Sequence, residues 1–314
     1  VGSEMCIRDR SPRIGLTLDP FGDGKTSLRA SYSKYMEMMM IQFTALPNPN
    51  YIHDGDFRWY DLNENNYPDK ADFYEFVWLA REEDPITGLP DLSKDVDPDL
   101  RPPHVDEVTF GITREILPEF SVGVTYIRKW ERDIIESYKR PDIKTIWTEK
   151  TWSEPGPDGK WGTADDLSFP VYLGSGESPT TRTTNIDGTN GKPKAERNYQ
   201  GVEFIFNKRM SNRWQLFGSV VVSKAEGNIG QSYGQSYGAY GQFVNPNTLT
   251  NAYGRLNMDR PLVIKLMGTY QAPYGLIFSA AYTYMSGYPY NRQVRVYGLV
   301  PWSPYRTVNS NTPG

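Results

Sequence analysis

The chain is poor in the residues on which most enzymes and metal proteins depend. It has one cysteine, Cys6, and two histidines, His53 and His104. A lone thiol builds no disulfide framework, and neither histidine belongs to an HExxH or similarly spaced metal pair. Both histidines read as solvated loop side chains. No serine sits in a nucleophile elbow and no carboxylates form a recognisable triad, so no catalytic residue is assigned and an enzyme is not expected. Runs of 18 apolar residues are also missing, which excludes a transmembrane helix. The net charge of −4 argues against nucleic acid as a partner. None of these absences excludes a membrane β-barrel, whose strands hide alternate residues from lipid and look polar on average.

What is present is strand pattern. In Asn198 to Lys224, Val202, Phe204 and Phe206 alternate with Gly201, Glu203 and Ile205. After a turn at Met210 to Arg213 the alternation resumes, with Trp214, Leu216, Gly218, Val220 and Val222 on one face. Side chains alternate across a strand, so this is a hairpin with one apolar side and one mixed, mostly small and polar side. Each arm runs about ten residues, the length a tilted strand needs to cross a bilayer. Six more segments carry the same pattern: 14–19, 26–35, 107–116, 120–130, 262–272 and 276–286.

The connections alternate in length. Residues 20–25, 117–119, 210–213 and 273–275 are short; 38–104, 133–197 and 225–260 are long. Tight turns alternating with long loops characterise outer-membrane barrels, with the turns periplasmic and the loops extracellular. The expected fold is therefore all-β: eight long antiparallel transmembrane strands forming part of a barrel. Tyr32, Tyr35, Tyr126, Trp130, Tyr282 and Tyr284 fall at the outer strand ends, and Phe120, Trp214, Tyr270 and Tyr274 at the periplasmic ends. Two aromatic girdles follow. The lipid-facing set includes Val202, Phe204, Phe206, Leu216 and Val220. Arg29, Glu203 and Lys265 take the opposite parity and are expected to face the lumen, because Lys or Arg facing mid-membrane lipid costs about 2–4 kcal/mol.

The long connections carry the remaining candidates. Asp54 to Arg101 holds fourteen acidic residues against five basic ones, and Asp72 to Arg81 reads as a short helix within it. Lys144 to Trp152 reads as a local strand, followed by a turn-rich stretch, 156–167. In that stretch Asp158, Asp165 and Asp166 resemble a calcium-binding turn, since hard cations want clustered carboxylates on a flexible loop; an ordinary Asp/Gly turn is the alternative. No other cofactor is expected. Tyr233, Tyr237 and Tyr240 lie in a QSYG-QSYG-AYG repeat that offers planar aromatics to a ligand, or is simply a loop of biased composition.

SPRIGLTLDPFGDGKTSLRASYSKY, VDEVTFGITREILPEFSVGVTYIRK, RNYQGVEFIFNKRMSNRWQLFGSVVVSKAEG and LNMDRPLVIKLMGTYQAPYG resemble, in this order, the barrel of TonB-dependent outer-membrane receptors, specifically the Oar-like branch. The resemblance implies a barrel of about 22 strands, an N-terminal plug and a segment that meets TonB. Eight strands would be about a third of it, so 11–314 is expected to be a barrel portion truncated at both ends. Val1 to Arg10 fits no later pattern, resembles read-through of a sequencing adapter, and is expected to be non-native. The implied function is energy-coupled passage of a bulky solute across the bacterial outer membrane, with outer-membrane lipid, the TonB complex and an unidentified solute as partners. A passive porin or adhesin barrel without TonB coupling is the alternative reading, and a secreted glycan-binding β protein a third.

Overall fold

A computed structural model describes residues 10–37, 54–62, 64–67, 73–80, 94–139, 146–156, 158–175, 181–229, 243, 245–290, 293–300 and 303–309. Its main feature is one antiparallel meander. The strands are β1 (Arg13–Leu18), β2 (Thr26–Met36), β3 (His104–Leu117), β4 (Phe120–Arg132), β5 (Arg197–Ser211), β6 (Trp214–Gly227), β7 (Leu262–Gln271) and β8 (Ile277–Met285). Each pairs with the next, and a two-residue strand, Gly254–Arg255, adds to the outer end of β6. The sheet does not close among the described residues: β1 and β8 are its edges. Every residue of those two strands is exposed.

Local chemistry sets the turns. Asn212 and Arg213 both adopt positive φ, 51° and 70°, the conformation of a two-residue turn that matches strand twist. A register shift between Lys208 and Ser211 lets β5 extend to Ser211, so the turn is tighter than the expected 210–213. At the first turn the Asp19 carboxylate accepts the amides of Phe21, Gly22 and Gly24 at 3.2, 3.1 and 2.7 Å. Those bonds, Gly24 first, hold its carboxyl below the usual range.

Direct pairs across the ladder share a face, so register fixes the two surfaces. Leu18, Leu28, Ile112, Val124, Phe204, Val220, Ile264 and Tyr284 form a continuous row across all eight strands. One residue along, Ser27, Thr113, Gly123, Ile205, Ser219, Lys265 and Thr283 form a row on the other face. Phe206 pairs directly with Gly218 and lays its ring over it; a Cβ at Gly218 would stand 2.1 Å from Phe206 Cζ. The glycine is what allows the ring to lie against the sheet.

Two expectations change. Phe73–Ala80 is a strand paired antiparallel with Asp54–Trp59, not the helix read over Asp72 to Arg81. Five of its eight residues (Phe73, Tyr74, Phe76, Val77 and Trp78) are aromatic or β-branched, and a pairing partner inside the same connection outweighs a weak helical period. Tyr35 pairs with Val105 and so stands on the polar face, one residue off the parity of Tyr32. It therefore leaves the aromatic girdle; the Arg13 guanidinium sits 4.7 Å over its ring.

Candidate functional site: the polar face and the loops above it

The two faces differ most in where charge falls. On the apolar face, the positions between the strand ends are Leu28 to Tyr32, Val108 to Ile112, Val122 to Tyr126, Val202 to Phe206, Leu216 to Val222, Leu262 to Gly268 and Phe278 to Tyr284, each read at every second residue. None is charged. Arg114 and Lys208 share this face, but both lie close to the short turns. Lys208 turns downward, donating to the Arg209 carbonyl (2.7 Å) and to Ser211 Oγ. The polar face carries Arg29, Glu203 and Lys265 at mid-strand. Arg29 Nη2 donates to Thr113 Oγ1 at 2.8 Å, and Ser31 and Thr109 share a hydrogen bond of 2.6 Å.

Toward the long-loop end, the polar face becomes a charged hollow. Lys129 pairs with Glu107 at 2.6 Å and Arg197 with Glu131 at 3.0 Å. Lys129, Glu131 and Arg197, with Ile127, Tyr199, Ala225, Leu256 and Met258, line an open space of about 330 Å³. Leu256 is buried and Met258 half exposed. Sequence reasoning missed this hollow. Its one local signal is the run Ile127, Lys129, Glu131 at every second residue, which continues the polar parity of β4 beyond the expected strand end.

Parts of all three long connections are clasped together at this end. The chain leaves β4 at Asp133 with φ 54° and enters a strand, Ile135–Lys139. That strand pairs with Thr181–Asn185, which also pairs in parallel with Lys94–Val96. Asn185 joins three segments: Oδ1 accepts the Arg101 amide at 2.8 Å, and Nδ2 donates to the carbonyls of Arg101 (2.8 Å) and Asp133 (2.6 Å). The Arg101 guanidinium bridges Asp133 and Asp187. Ile134, Ile186, Ala195, Ile229 and Phe243 form a small buried core beneath. The third connection contributes a one-turn helix, α1 (Pro246–Leu249). Its buried Asn247 accepts the Tyr172 amide and donates to the Tyr172 carbonyl, both at 2.7 Å.

The loop candidates fare unequally. Tyr233, Tyr237 and Tyr240 lie outside the described residues, as does His53. His104 is not a solvated loop residue: it opens β3, is 8% exposed, and has Nδ1 3.4 Å from Asp133 Oδ2 without a hydrogen bond. Pairing with Met36 and Arg132 draws it into the sheet. Lys144 to Trp152 lies largely within the strand Ile146–Glu154, which pairs with Leu167–Ser175. Asp158, Asp165 and Asp166 do converge in the turn between those strands. They act as acceptors there: Asp165 Oδ2 takes the Asp158 amide (3.1 Å), Asp166 Oδ2 the Gly162 amide (2.7 Å), and Thr163 Oγ1 sits 2.6 Å from Asp165 Oδ1. The Thr163 bond, followed by the Asp158 amide, lowers the Asp165 carboxyl below its ordinary range. Among the described residues no group of three or more His, Cys, Asp or Glu side chains has metal-holding geometry. Of the acidic connection, Asp97 is used internally, accepting the Thr184 hydroxyl at 2.6 Å.

A family model described as "Outer membrane beta barrel domain" matches residues 7–298. The TonB-dependent transporter Oar of Myxococcus xanthus is 23% identical over 315 residues, covering 90% of this chain and 26% of Oar. The chain thus spans about a quarter of the length of that relative. Among solved structures, the outer membrane transporter YddB from Escherichia coli is similar with a TM-score of 0.49 and 12% identity, over 95% of this chain and 32% of that one. The FpvAI–pyocin S2 complex is similar with a TM-score of 0.42 and 11% identity, over 95% and 25%.

Proposed function

The chain belongs to the outer membrane beta barrel domain family, and from that premise we propose that its sheet is a sector of the wall of a TonB-dependent receptor. The apolar face meets outer-membrane lipid and the polar face lines the lumen. The observation that carries the orientation is the asymmetry of mid-strand charge: Arg29, Glu203 and Lys265 on one face, none on the other. A barrel wall needs this arrangement, because only the lumen side can solvate or pair such groups. Resemblance to Oar supports TonB coupling: the complete protein would draw on the TonB complex, through a part not in this chain, to pass a bulky solute. The hollow between Lys129, Arg197 and Met258 lies at the extracellular mouth, where such a solute first meets the wall.

Two experiments on the complete protein test this reading. Phe204→Arg should reduce the amount of heat-modifiable, membrane-inserted barrel several-fold, whereas Glu203→Arg leaves it unchanged; equal assembly of the two variants rejects the orientation. Solute uptake should vanish in cells lacking TonB. Uptake that persists there makes the barrel a passive pore.

A further inference from the structure

The hollow at the long-loop end of the polar face is uneven in charge. Among its lining residues Lys129 and Arg197 are the cations, and each is already held by a carboxylate, Glu107 at 2.6 Å and Glu131 at 3.0 Å. The second pair is largely out of solvent, its side chains 16% and 7% exposed. Glu37, one residue past β2 and on the parity of Tyr35, brings a third carboxylate within electrostatic reach of Glu131 and Arg197. Its amide donates to the Pro103 carbonyl at 2.8 Å, which fixes the residue beside the start of β3. Burial, then the Glu131 charge, pushes the Glu37 carboxyl up, and Arg197 opposes them. Three carboxylates thus share two cations.

Most of the remaining lining is apolar or aromatic, with Leu256 and Met258 supplying aliphatic and thioether surface. Tyr199 lays its ring back along its strand: a Cβ at Gly201 would stand 2.8 Å from the Tyr199 hydroxyl and 3.2 Å from Cζ. A ring laid against the sheet turns its face, rather than its edge, toward the lumen. That face is the negative side of the ring and attracts an ammonium group. An anion entering here finds both cations engaged and a surplus carboxylate beside them. A cation finds carboxylates with lone pairs to spare. The approach is negative too: the connection from Asp54 to Arg101 holds fourteen acidic residues against five basic ones, and a field of one sign concentrates ligands of the other.

From this juxtaposition we propose that the hollow takes a cationic amphipathic solute, a protonated amine carried on an apolar body. Glu37, Glu131 and the Tyr199 ring meet the ammonium, and Leu256 and Met258 the body. A space of about 330 Å³ has room for such a group. The site rests on the reading that the polar face lines the lumen, and it names the class of solute that this reading leaves open.

The test titrates the complete receptor, held in nanodiscs of zwitterionic lipid, with benzylamine, benzyl alcohol and benzoate, which share a ring and differ in charge. Saturable binding is read by ligand-observed NMR against empty nanodiscs at neutral pH. The amine should bind about tenfold more tightly than the alcohol, and benzoate more weakly than either. Glu37→Gln should abolish the advantage of the amine, whereas Glu115→Gln, which removes the same charge at the short-turn rim, keeps it. Equal affinity for amine and alcohol in the unaltered receptor overturns the proposal, and a preference for benzoate does the same; neither arm needs a variant. An amine preference undiminished by Glu37→Gln puts the amine elsewhere and overturns it too. Equal assembly of Phe204→Arg and Glu203→Arg rejects the lumenal orientation and the site with it. The expected difference in assembly, without an amine preference, rejects the site alone.

Discussion

Glu136 sits 6% exposed in the strand that follows β4, and burial pushes its carboxyl up from 4.5 to about 7. The Ser137 amide, at 3.3 Å, offsets this only in part. The folded loop assembly therefore binds a proton that the unfolded segment has already released above pH 4.5. Its stability is fully present below about pH 4.5, declines as pH rises, and levels off above about 7. The full loss is on the order of 3 kcal/mol. Hydrogen exchange across 134–139 and 181–186 in the complete protein should quicken over that window, and Glu136→Gln should flatten the change. Exchange that slows with rising pH, once corrected for the intrinsic rate, contradicts the assignment.

At the scale of elements, the loop assembly is held by a few side chains that reach far along the chain. Asn247 is the clearest: it is 1% exposed and closes both polar groups of the Tyr172 backbone, 75 residues away. Asn247→Ala would leave the amide and carbonyl of half-buried Tyr172 without these partners, at a cost of about 1–3 kcal/mol. The hairpin formed by Ile146–Glu154 and Leu167–Ser175 should then exchange faster at Tyr172, while the sheet of β1 to β8 assembles as before, since none of its ladder bonds depends on α1. A loss of barrel assembly in this variant would mean that the loops help to build the wall rather than rest on it.

For the molecule as a whole, sheet and loops were unequally legible in the sequence, and the reason is physical. A strand buried on one side repeats with period two over every ten residues, so Val202, Phe204 and Phe206 announced their face and Glu203 the other without any partner in view. Asn212-Arg213 and Pro118-Glu119 likewise marked turns by local chemistry. The sequence by itself thus determined the eight strands, the alternation of short and long connections and, Tyr35 apart, which residues share a surface. Only the tertiary structure decided that Phe73–Ala80 is extended, that His104 is buried, and that Asn185, Arg101 and Asn247 clasp the long connections into one assembly. Those outcomes rest on partners such as Arg101 and Asn185, 84 residues apart. Contacts of that range leave no period in the chain, because each is made by a single side chain meeting a backbone that another segment supplies.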